Sequence, residues 1–244
     1  MSFAADLLAD RHALVTGGTS GIGAAIAAAF AACGAQVVVT GRQAFSVADY
    51  NGAAPERCRA EPLDVTDGAA VLRLLECFTR LDIVVNSAGM IHREAEYDPA
   101  SFAQVLDVNL TGSLRVAEAA RPLLQRQGGS IVNIASVLGF HGGPHAPGYA
   151  ASKGGIVQLT KSLAIRYAAQ SIRVNAIAPG WIETKLTRAV RNDAARYEAI
   201  LARTPMGRWG RAEDVAGAAV FLCSPAAAFI TGVTLPVDGG YLAA

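Results

Sequence analysis

The sequence predicts a doubly wound α/β fold, in which one parallel sheet of about seven strands carries helices on both faces. Short apolar, β-branched runs alternate along the chain with longer Ala- and Leu-rich stretches. The short runs are almost continuously apolar, which is typical of strands that are covered on both sides. No Ser/Pro linker, charge block or repeat divides the 244 residues. We therefore expect a single domain over residues 1–244.

Individual elements follow from this pattern. The clearest strands are predicted at His12–Thr16, Gln36–Thr40, Leu81–Asn86, Ser130–Ala135 and Ile172–Ile177. The helices between them are predicted at Gly23–Cys33, Ala69–Thr79, Ser101–Arg126 and Tyr149–Ala169. Such alternation implies parallel strands joined by right-handed helical crossovers. A last strand at Thr234–Val237 contains Pro236, which favours a position at the edge of the sheet.

One segment, Gln43–Arg59, departs from the regular alternation. It contains Gly52 and Pro55 and has weak periodicity. These features predict a loop or a short, frayed helix between the second and third strands.

Composition excludes several classes of protein. Hydrophobic residues make up 52%, charged residues 17%, and the net charge is +1, so we expect no attraction to nucleic acid or to an anionic membrane. The N-terminus contains acidic residues and soon reaches a strand, unlike a signal peptide. No apolar stretch reaches the ~18 residues of a membrane span. We therefore expect a cytoplasmic protein. We also expect neither a metal site nor disulfides, because the cysteines are scattered, at Cys33, Cys58, Cys77 and Cys223.

A glycine-rich turn stands between the first strand and the first helix, at Thr16–Gly23. Glycines in this context permit a tight turn and let the backbone approach a pyrophosphate, whose charge meets the helix N-terminus. The sequence therefore predicts a dinucleotide site that includes Gly17, Thr19, Ser20, Gly21, Ile22 and Gly23.

The residue beyond the second strand distinguishes between cofactors. An acid there would bind the adenosine ribose hydroxyl and repel a 2′-phosphate. The chain has Arg42 instead, and a guanidinium matches a phosphate well. NADP is favoured, with NAD as the alternative if Arg42 is simply a solvated surface residue.

A tyrosine and a lysine four residues apart, Tyr149 and Lys153, follow Ser136. On a helix the two side chains project from the same face. A lysine ammonium stabilises a phenolate, so we expect it to lower the pKa of the tyrosine below its usual ~10. A phenol tuned in this way exchanges a proton with a substrate oxygen, and a serine hydroxyl can hold that oxygen.

Together these motifs resemble those of the short-chain dehydrogenases/reductases. The resemblance covers nearly the whole chain, from T-G-x-x-x-G-x-G to the run TGVTLPVDGGY near the C-terminus. One departure is Ser87, which stands where many relatives have a second asparagine. The other motifs in matching order are Asp64–Thr66, Asn86–Gly89, Val108–Gly112, Ser136, Tyr149-x-x-x-Lys153 and Pro179-Gly180.

The resemblance implies a Rossmann-like fold and a role for each of these residues. Tyr149 would be the catalytic acid/base, Lys153 would bind the nicotinamide ribose, Ser136 would hold the substrate oxygen, and Asn109 would help to position a proton-relaying water. Homodimers or homotetramers are implied as well. The cofactor would also contact Asp64, Val65, Asn86, Ala88, Gly89, Pro179, Gly180, Ile182 and Thr184.

Independent reasoning supports this arrangement, because the glycine loop, Asn86–Gly89, Ser136 and Pro179-Gly180 each follow a predicted strand. In an open parallel sheet such loops meet at the carboxyl edge, where ligands bind. Purely structural roles stay open for three residues: Asn109 as an interior amide, Ser136 as a turn residue, and Thr184 as a helix N-cap. His92, His141 and His145 lie in predicted loops.

Substrate choice is expected to depend on residues 181–211, a lid segment with several apolar residues and arginines. An arginine there could meet an anionic substrate, or all of them could face solvent; they are Arg188, Arg191, Arg196, Arg203 and Arg208. The predicted activity is hydride transfer between NADP(H) and the carbonyl or secondary alcohol of a small substrate. The alternatives are an NAD(H)-dependent alcohol or sugar dehydrogenase, and a non-catalytic dinucleotide sensor.

Overall fold

The computed structural model describes residues 3–244. Over this range the chain forms one parallel sheet in the order β3-β2-β1-β4-β5-β6-β7. The direction of strand order reverses between β1 and β4, which places a ligand-binding crevice at their carboxyl ends. The strands are β1 His12–Thr16, β2 Gln36–Gly41, β3 Cys58–Pro62, β4 Ile83–Asn86, β5 Gly129–Ile134, β6 Ile172–Pro179 and β7 Thr234–Val237.

Helices cover both faces of the sheet, as predicted. One core layer packs α1 and α9 on one face, and a second packs α3, α5 and α6 on the other. β7 forms one edge of the sheet, as expected from Pro236. The helices are α1 Gly21–Ala32, α2 Ala44–Ala53, α3 Gly68–Glu76, α4 Pro99–Leu106, α5 Gly112–Leu124, α6 Pro147–Tyr167, α7 Arg188–Arg191, α8 Ala194–Arg203 and α9 Ala212–Cys223.

The irregular segment after β2 forms a helix of ten residues, α2, and not a loop. Every residue of α2 keeps some exposure, and only parts of it, such as Val47 and Tyr50, pack on the core. The Asn51 side chain also exchanges two hydrogen bonds with the backbone of Ala60 on β3, at 2.7 and 3.1 Å. Such a lightly packed helix has little apolar periodicity, which explains why the sequence left a loop and a short helix as alternatives.

The single helix predicted at Ser101–Arg126 is instead three segments. Asp98 caps α4 by accepting a hydrogen bond from the Ser101 N–H at 2.9 Å. A π-helical turn, Asp107–Thr111, then separates α4 from α5. Turns of this kind frequently occur at functional sites, and this one carries Asn109. Among residues 3–244, no helix is both long and apolar enough to cross a membrane.

Candidate active site

A cleft of about 700 Å³ opens at the carboxyl ends of the strands. It extends from the glycine loop and the start of α2 to Tyr149 and Lys153 on α6. Most residues predicted to bind the cofactor line it: Gly17, Thr19, Ser20, Gly21, Ile22, Gly23, Arg42, Asp64, Val65, Ala88, Gly89, Tyr149, Lys153 and Thr184.

The glycine loop is packed so closely that side chains could not replace its glycines. Gly17 has a left-handed φ of +65°, and a Cβ there would lie 2.7 Å from the Ala88 Cα. A Cβ on Gly23 would lie 2.5 Å from the Gly17 oxygen. The Thr16 hydroxyl accepts the Ala88 N–H at 3.2 Å and joins this loop to the one after β4. These contacts leave a backbone-lined wall beside the N-terminus of α1, which fits a pyrophosphate.

The other end of the cleft is lined by Arg42, Asp64 and Val65. Asp64 accepts hydrogen bonds from the Thr66 N–H at 2.9 Å and the Thr66 hydroxyl at 2.7 Å. These bonds, together with the charges of Arg42 and Arg115, hold the pKa of Asp64 below its usual value. Arg42 also lines the cleft, and its charge acts on this carboxylate.

Tyr149 and Lys153 lie one turn apart on α6, with the Lys153 Nζ 5.5 Å from the centre of the tyrosine ring. Lys153 is 5% exposed and donates a hydrogen bond to the Ile134 oxygen at 2.6 Å. Burial lowers the pKa of Lys153 to about 8. An ammonium has three donors, and the donors not bound to Ile134 are available to a ribose.

The expected lowering of the Tyr149 pKa is wrong for this structure. Burial raises it to about 12, with the Glu96 charge adding to that effect, while the Ser136 hydroxyl and the Arg93 charge oppose it. Two causes explain the difference. The Tyr149 side chain is half-buried in the cleft wall, and the Lys153 ammonium beside it is itself desolvated and bound to Ile134.

Ser136 follows β5 and is 8% exposed. Its hydroxyl accepts the Leu138 N–H at 3.1 Å. This bond makes Ser136 a strand-end turn residue. The same hydroxyl also lowers the pKa of Tyr149, so the structural and functional interpretations of Ser136 are compatible.

Asn109 lies inside the π-helical turn with 1% exposure. Its side chain accepts the Met90 N–H at 2.8 Å and donates to the Met90 oxygen at 3.0 Å and the Ser152 hydroxyl at 3.0 Å. It therefore joins the loop after β4 to α6. These contacts are those of an interior amide, the structural role that the sequence left open for Asn109.

Comparison with known proteins assigns the family. The family model described as "Enoyl-(Acyl carrier protein) reductase" matches residues 17–242. The 2-dehydro-3-deoxy-D-gluconate 5-dehydrogenase of Bacillus subtilis (strain 168) is 42% identical over 249 residues, covering 96% of each chain. This chain belongs to the short-chain dehydrogenase/reductase family. It is an NAD(P)-dependent oxidoreductase that acts on CH–OH groups.

Solved structures of short-chain dehydrogenases/reductases with NADP are closely similar. The gluconate 5-dehydrogenase of Burkholderia cenocepacia J2315 in complex with NADP and tartrate has a TM-score of 0.93 at 36% identity, covering 98% of each chain. The Pseudomonas aeruginosa RhlG/NADP active-site complex has a TM-score of 0.91 at 37% identity, covering 98% of this chain and 99% of the other. A nicotinamide dinucleotide is accordingly the cofactor that the cleft fits.

Four of the predicted cofactor contacts of this short-chain dehydrogenase/reductase lie outside the cleft lining. The Asn86 amide donates to Asn133 at 2.9 Å inside the sheet. Pro179 ends β6, and Gly180 packs so tightly on Asp238 that a Cβ would lie 2.7 Å from its Cα. Ile182 lines a second, smaller cavity of about 210 Å³. These residues support the wall from behind.

Thr184 lines the cleft, whereas His141 and His145 are not among the residues that line it. Thr184 lines the cleft opposite Gly21, whose Cβ would lie 3.4 Å from the Thr184 Cγ2. The N-cap of the next helix is Thr187, so the capping role considered for Thr184 is wrong. His145 pairs with the exposed Glu94, and the His141 ring lies 5.7 Å from that of Tyr241.

In residues 181–211, the segment predicted to form a lid, three aromatic residues pack on one another. The Trp209 ring centre lies 5.6 Å from those of both Trp181 and Tyr197. Three of the arginines have intramolecular partners, because Arg191 pairs with Glu183 at 3.0 Å, Arg208 with Asp214 at 2.7 Å, and Arg203 stacks on Tyr241 at 4.3 Å. Arg188 is exposed at the start of α7.

Two charged residues that the sequence analysis missed approach Tyr149 from the 3-10 helix Arg93–Tyr97. Burial and the charge of Arg196 lower the pKa of Arg93, which also responds to the charge of Tyr149. Glu96 is 1% exposed and accepts the Tyr149 N–H at 2.8 Å. The signal for both was their position just after β4, at the ligand-binding edge of the sheet.

Proposed function

We propose that this protein interconverts a secondary alcohol and a ketone on a small polyhydroxy acid, using NADP(H), with Tyr149 as the acid/base. One observation carries the proposal. Tyr149 and Lys153 lie on the wall of the same cleft that the glycine loop lines. In this proposal residues 181–211 form the substrate lid of a single domain spanning residues 1–244.

The chain's own residues would handle the proton. Bound NADP(H) supplies or takes the hydride. The Tyr149 phenol gives its proton to the carbonyl oxygen in reduction and takes the alcohol proton in oxidation, while the Ser136 hydroxyl holds that oxygen. A pKa of about 12 keeps the unliganded phenol protonated at neutral pH, which is the form that reduction needs. Lys153 would bind the ribose, and Asn109 would help to position the water that relays protons.

NADP is proposed over NAD because of the surroundings of Arg42. Arg42 lines the cleft together with Thr19 and Ser46, whose hydroxyls lie around the preceding Gly41. A 2′-phosphate would find a bidentate cation and neutral donors there. The presence of NADP in the Burkholderia and Pseudomonas structures supports the same choice.

An acidic substrate is proposed because the Arg93 guanidinium is under the influence of the charges of both Arg196 and Tyr149. The charge of Arg196 on α8 disfavours the charged form of Arg93. The charge of Glu96 offsets part of this repulsion, and a substrate anion between the two arginines would offset more of it. A substrate carboxylate at this point would also place the rest of a short polyol chain near the phenol. The relatives named as sugar-acid dehydrogenases support this class.

The test is hydride transfer measured by nicotinamide absorbance over a panel of aldonic acids, ketoaldonic acids and neutral polyols. We expect Tyr149→Phe to lower kcat by about 10²- to 10⁴-fold, with Tyr167→Phe as a matched control, since the Tyr167 hydroxyl binds Glu118 at 2.8 Å far from the cleft. Equal background rates for wild type and Tyr149→Phe would instead favour a non-catalytic sensor. Turnover of neutral polyols with NAD(H) alone would favour the alternative sugar dehydrogenase.

We also propose a homodimer or homotetramer that uses the outer faces of α5 and α6. Leu114 is 37% exposed on α5 and Ile165 is 82% exposed on α6, and exposed apolar side chains on adjacent helices favour association. Light scattering after size exclusion would measure the assembly. Dissociation by Ile165→Glu would support the proposed surface, and a monomeric wild type would overturn it.

A further inference from the structure

Glu96 is a buried carboxylate that contacts the proposed active site through the backbone alone. Its Oε1 accepts the His92 N–H at 2.7 Å and the Arg93 N–H at 3.1 Å. Its Oε2 accepts the Tyr149 N–H at 2.8 Å. One side chain thus joins the loop that carries Arg93 to the helix that carries Tyr149.

The start of α6 lacks a side-chain cap of its own. Its N-cap residue is Ala146 and its first residue is Pro147. The first N–H groups of a helix need acceptors, and a negative charge there is favourable because the helix dipole is positive at that end. Glu96 supplies both from a different segment of the chain.

The packing around Glu96 leaves space for this contact. A Cβ on Gly148 would lie 3.3 Å from the Glu96 Oε2 and 3.2 Å from the Phe102 ring. Gly148 thus lets the carboxylate approach the helix end closely. On the other side, Arg93 has a left-handed φ of 55°, and its N–H is one of the groups that Glu96 binds.

We propose that Glu96 is a positioning residue, which caps α6 and fixes Tyr149 and Arg93 in one arrangement. This inference rests on the proposed function for its kinetic consequences. Its structural content, the hydrogen bond to the Tyr149 N–H, holds whether or not Tyr149 is the acid/base.

A positioning role for Glu96 has an electrostatic signature. The groups that influence the titration of the Tyr149 phenol or lie beside its ring are Ser136 after β5, Arg93 and Glu96 from the 3-10 helix, and Lys153 on α6. Glu96 is the acidic one among them and raises the pKa of Tyr149. Its neutralisation would leave Arg93 and Ser136 to stabilise the phenolate.

The test compares Glu96→Gln and Glu96→Asp with Glu94→Gln, which neutralises an exposed carboxylate on the same 3-10 helix. For Glu96→Gln we expect kcat to fall about 10- to 100-fold. We also expect the rising limb of the pH–rate profile for alcohol oxidation to move to lower pH by roughly half a unit or more. Glu96→Asp should lower kcat with a smaller movement of the limb, because it keeps the charge but loses reach. Glu94→Gln should match wild type in both.

Amide hydrogen exchange provides a readout that does not depend on turnover. The Tyr149 amide should exchange at least about tenfold faster in Glu96→Gln, since its buried acceptor is weakened. Unchanged exchange and kcat in both Glu96 variants would overturn the inference, as would a fall in kcat without any movement of the limb in Glu96→Gln. If Glu96→Gln does not fold, Glu96→Asp decides through the same two measurements. Absence of turnover in wild type would contradict the proposed function, while exchange would still test Glu96.

Discussion

The Lys153 ammonium donates a hydrogen bond to the main-chain oxygen of Ile134 at 2.6 Å. This bond joins α6 to the carboxyl end of β5, so the lysine is fixed before any ligand binds. The same burial that fixes it makes the charged form unfavourable and lowers its pKa to about 8. Lys153 therefore lowers the stability of the folded state at neutral pH.

A specific pH dependence of stability follows from this burial. The unfolded chain keeps the lysine proton up to about 10.5, whereas the folded chain releases it near 8. Between these values the unfolded state binds more protons, so the free energy of unfolding rises with pH. We expect wild type to gain roughly 2 to 3 kcal/mol relative to Lys153→Met between pH 7.5 and 10.5.

Urea unfolding across this pH range measures the effect. The difference between the two proteins cancels the contributions of titrating groups that do not interact with Lys153. Lys161→Met on the exposed face of the same helix is the control, and it should track wild type. A wild-type to Lys153→Met difference that stays flat with pH would contradict the burial argument.

Arg42→Ala should weaken the binding of NADPH selectively. Loss of a charged hydrogen-bonding partner for the 2′-phosphate is expected to raise the NADPH dissociation constant about 10- to 100-fold. NADH, which lacks that phosphate, should change by less than about twofold. Fluorescence titration measures both.

Arg59→Ala is the matched control for Arg42→Ala. Arg59 pairs with Glu61 on β3 outside the cleft lining, so neither dissociation constant should change. Tighter binding of NADH than of NADPH by wild type would show that the cofactor preference is the reverse of the one proposed.

Arg196→Met should stabilise the free protein and impair turnover of acidic substrates. Removal of the charge next to Arg93 relieves repulsion, for a gain of a few tenths of a kcal/mol. The same change removes half of the proposed carboxylate site, so KM for an aldonic acid should rise about tenfold. KM for a neutral polyol should not move.

Arg191→Met, in the same segment 181–211, is a control whose expected effect on stability has the opposite sign. Arg191 pairs with Glu183 at 3.0 Å, so its loss should slightly destabilise the protein and leave both KM values unchanged. Thermal denaturation and steady-state kinetics measure these effects. A parallel rise of KM for acidic and neutral substrates in Arg196→Met would indicate a general disturbance of the lid.

Most of the fold was predictable because parallel strands are buried on both faces and stand out as apolar runs. His12–Thr16 and Thr234–Val237 match the predicted bounds. For α2 the sequence left a loop and a short helix as alternatives, because few of its side chains pack on the core. The division of α4 from α5 was missed because a π-helical turn continues the apolar pattern of an α-helix.

For the site, sequence order and topology predicted which loops meet, but not how side chains behave there. Tyr149, Lys153 and Ser136 converge as expected. The direction of the Tyr149 pKa shift depends on depth of burial and on Glu96, which is 53 residues away in the chain. In the sequence, Glu96 is indistinguishable from the exposed Glu94, and only tertiary packing separates a buried cap from a solvated charge.

Two glycines, Gly17 and Gly52, differ in their surroundings. At Gly17, an alanine would meet both a left-handed φ of +65° and a Cβ contact of 2.7 Å with the Ala88 Cα. Neither the added Cβ nor the Ala88 Cα can move away by a side-chain rotation, so the contact is relieved only by a shift of the backbone. We therefore expect Gly17→Ala to destabilise the protein by about 2 to 4 kcal/mol. It should also abolish detectable NADPH binding, because the loop must shift toward the cleft.

Gly52 provides the opposite case within α2. A Cβ there would meet nothing within 4 Å, and alanine has the higher helix propensity. Gly52→Ala should therefore stabilise the protein by up to about 0.5 to 1 kcal/mol without changing NADPH affinity. Denaturant unfolding and a binding titration on both variants measure the pair. Destabilisation by Gly52→Ala would contradict a helical α2, because only a non-helical backbone at this position would favour glycine.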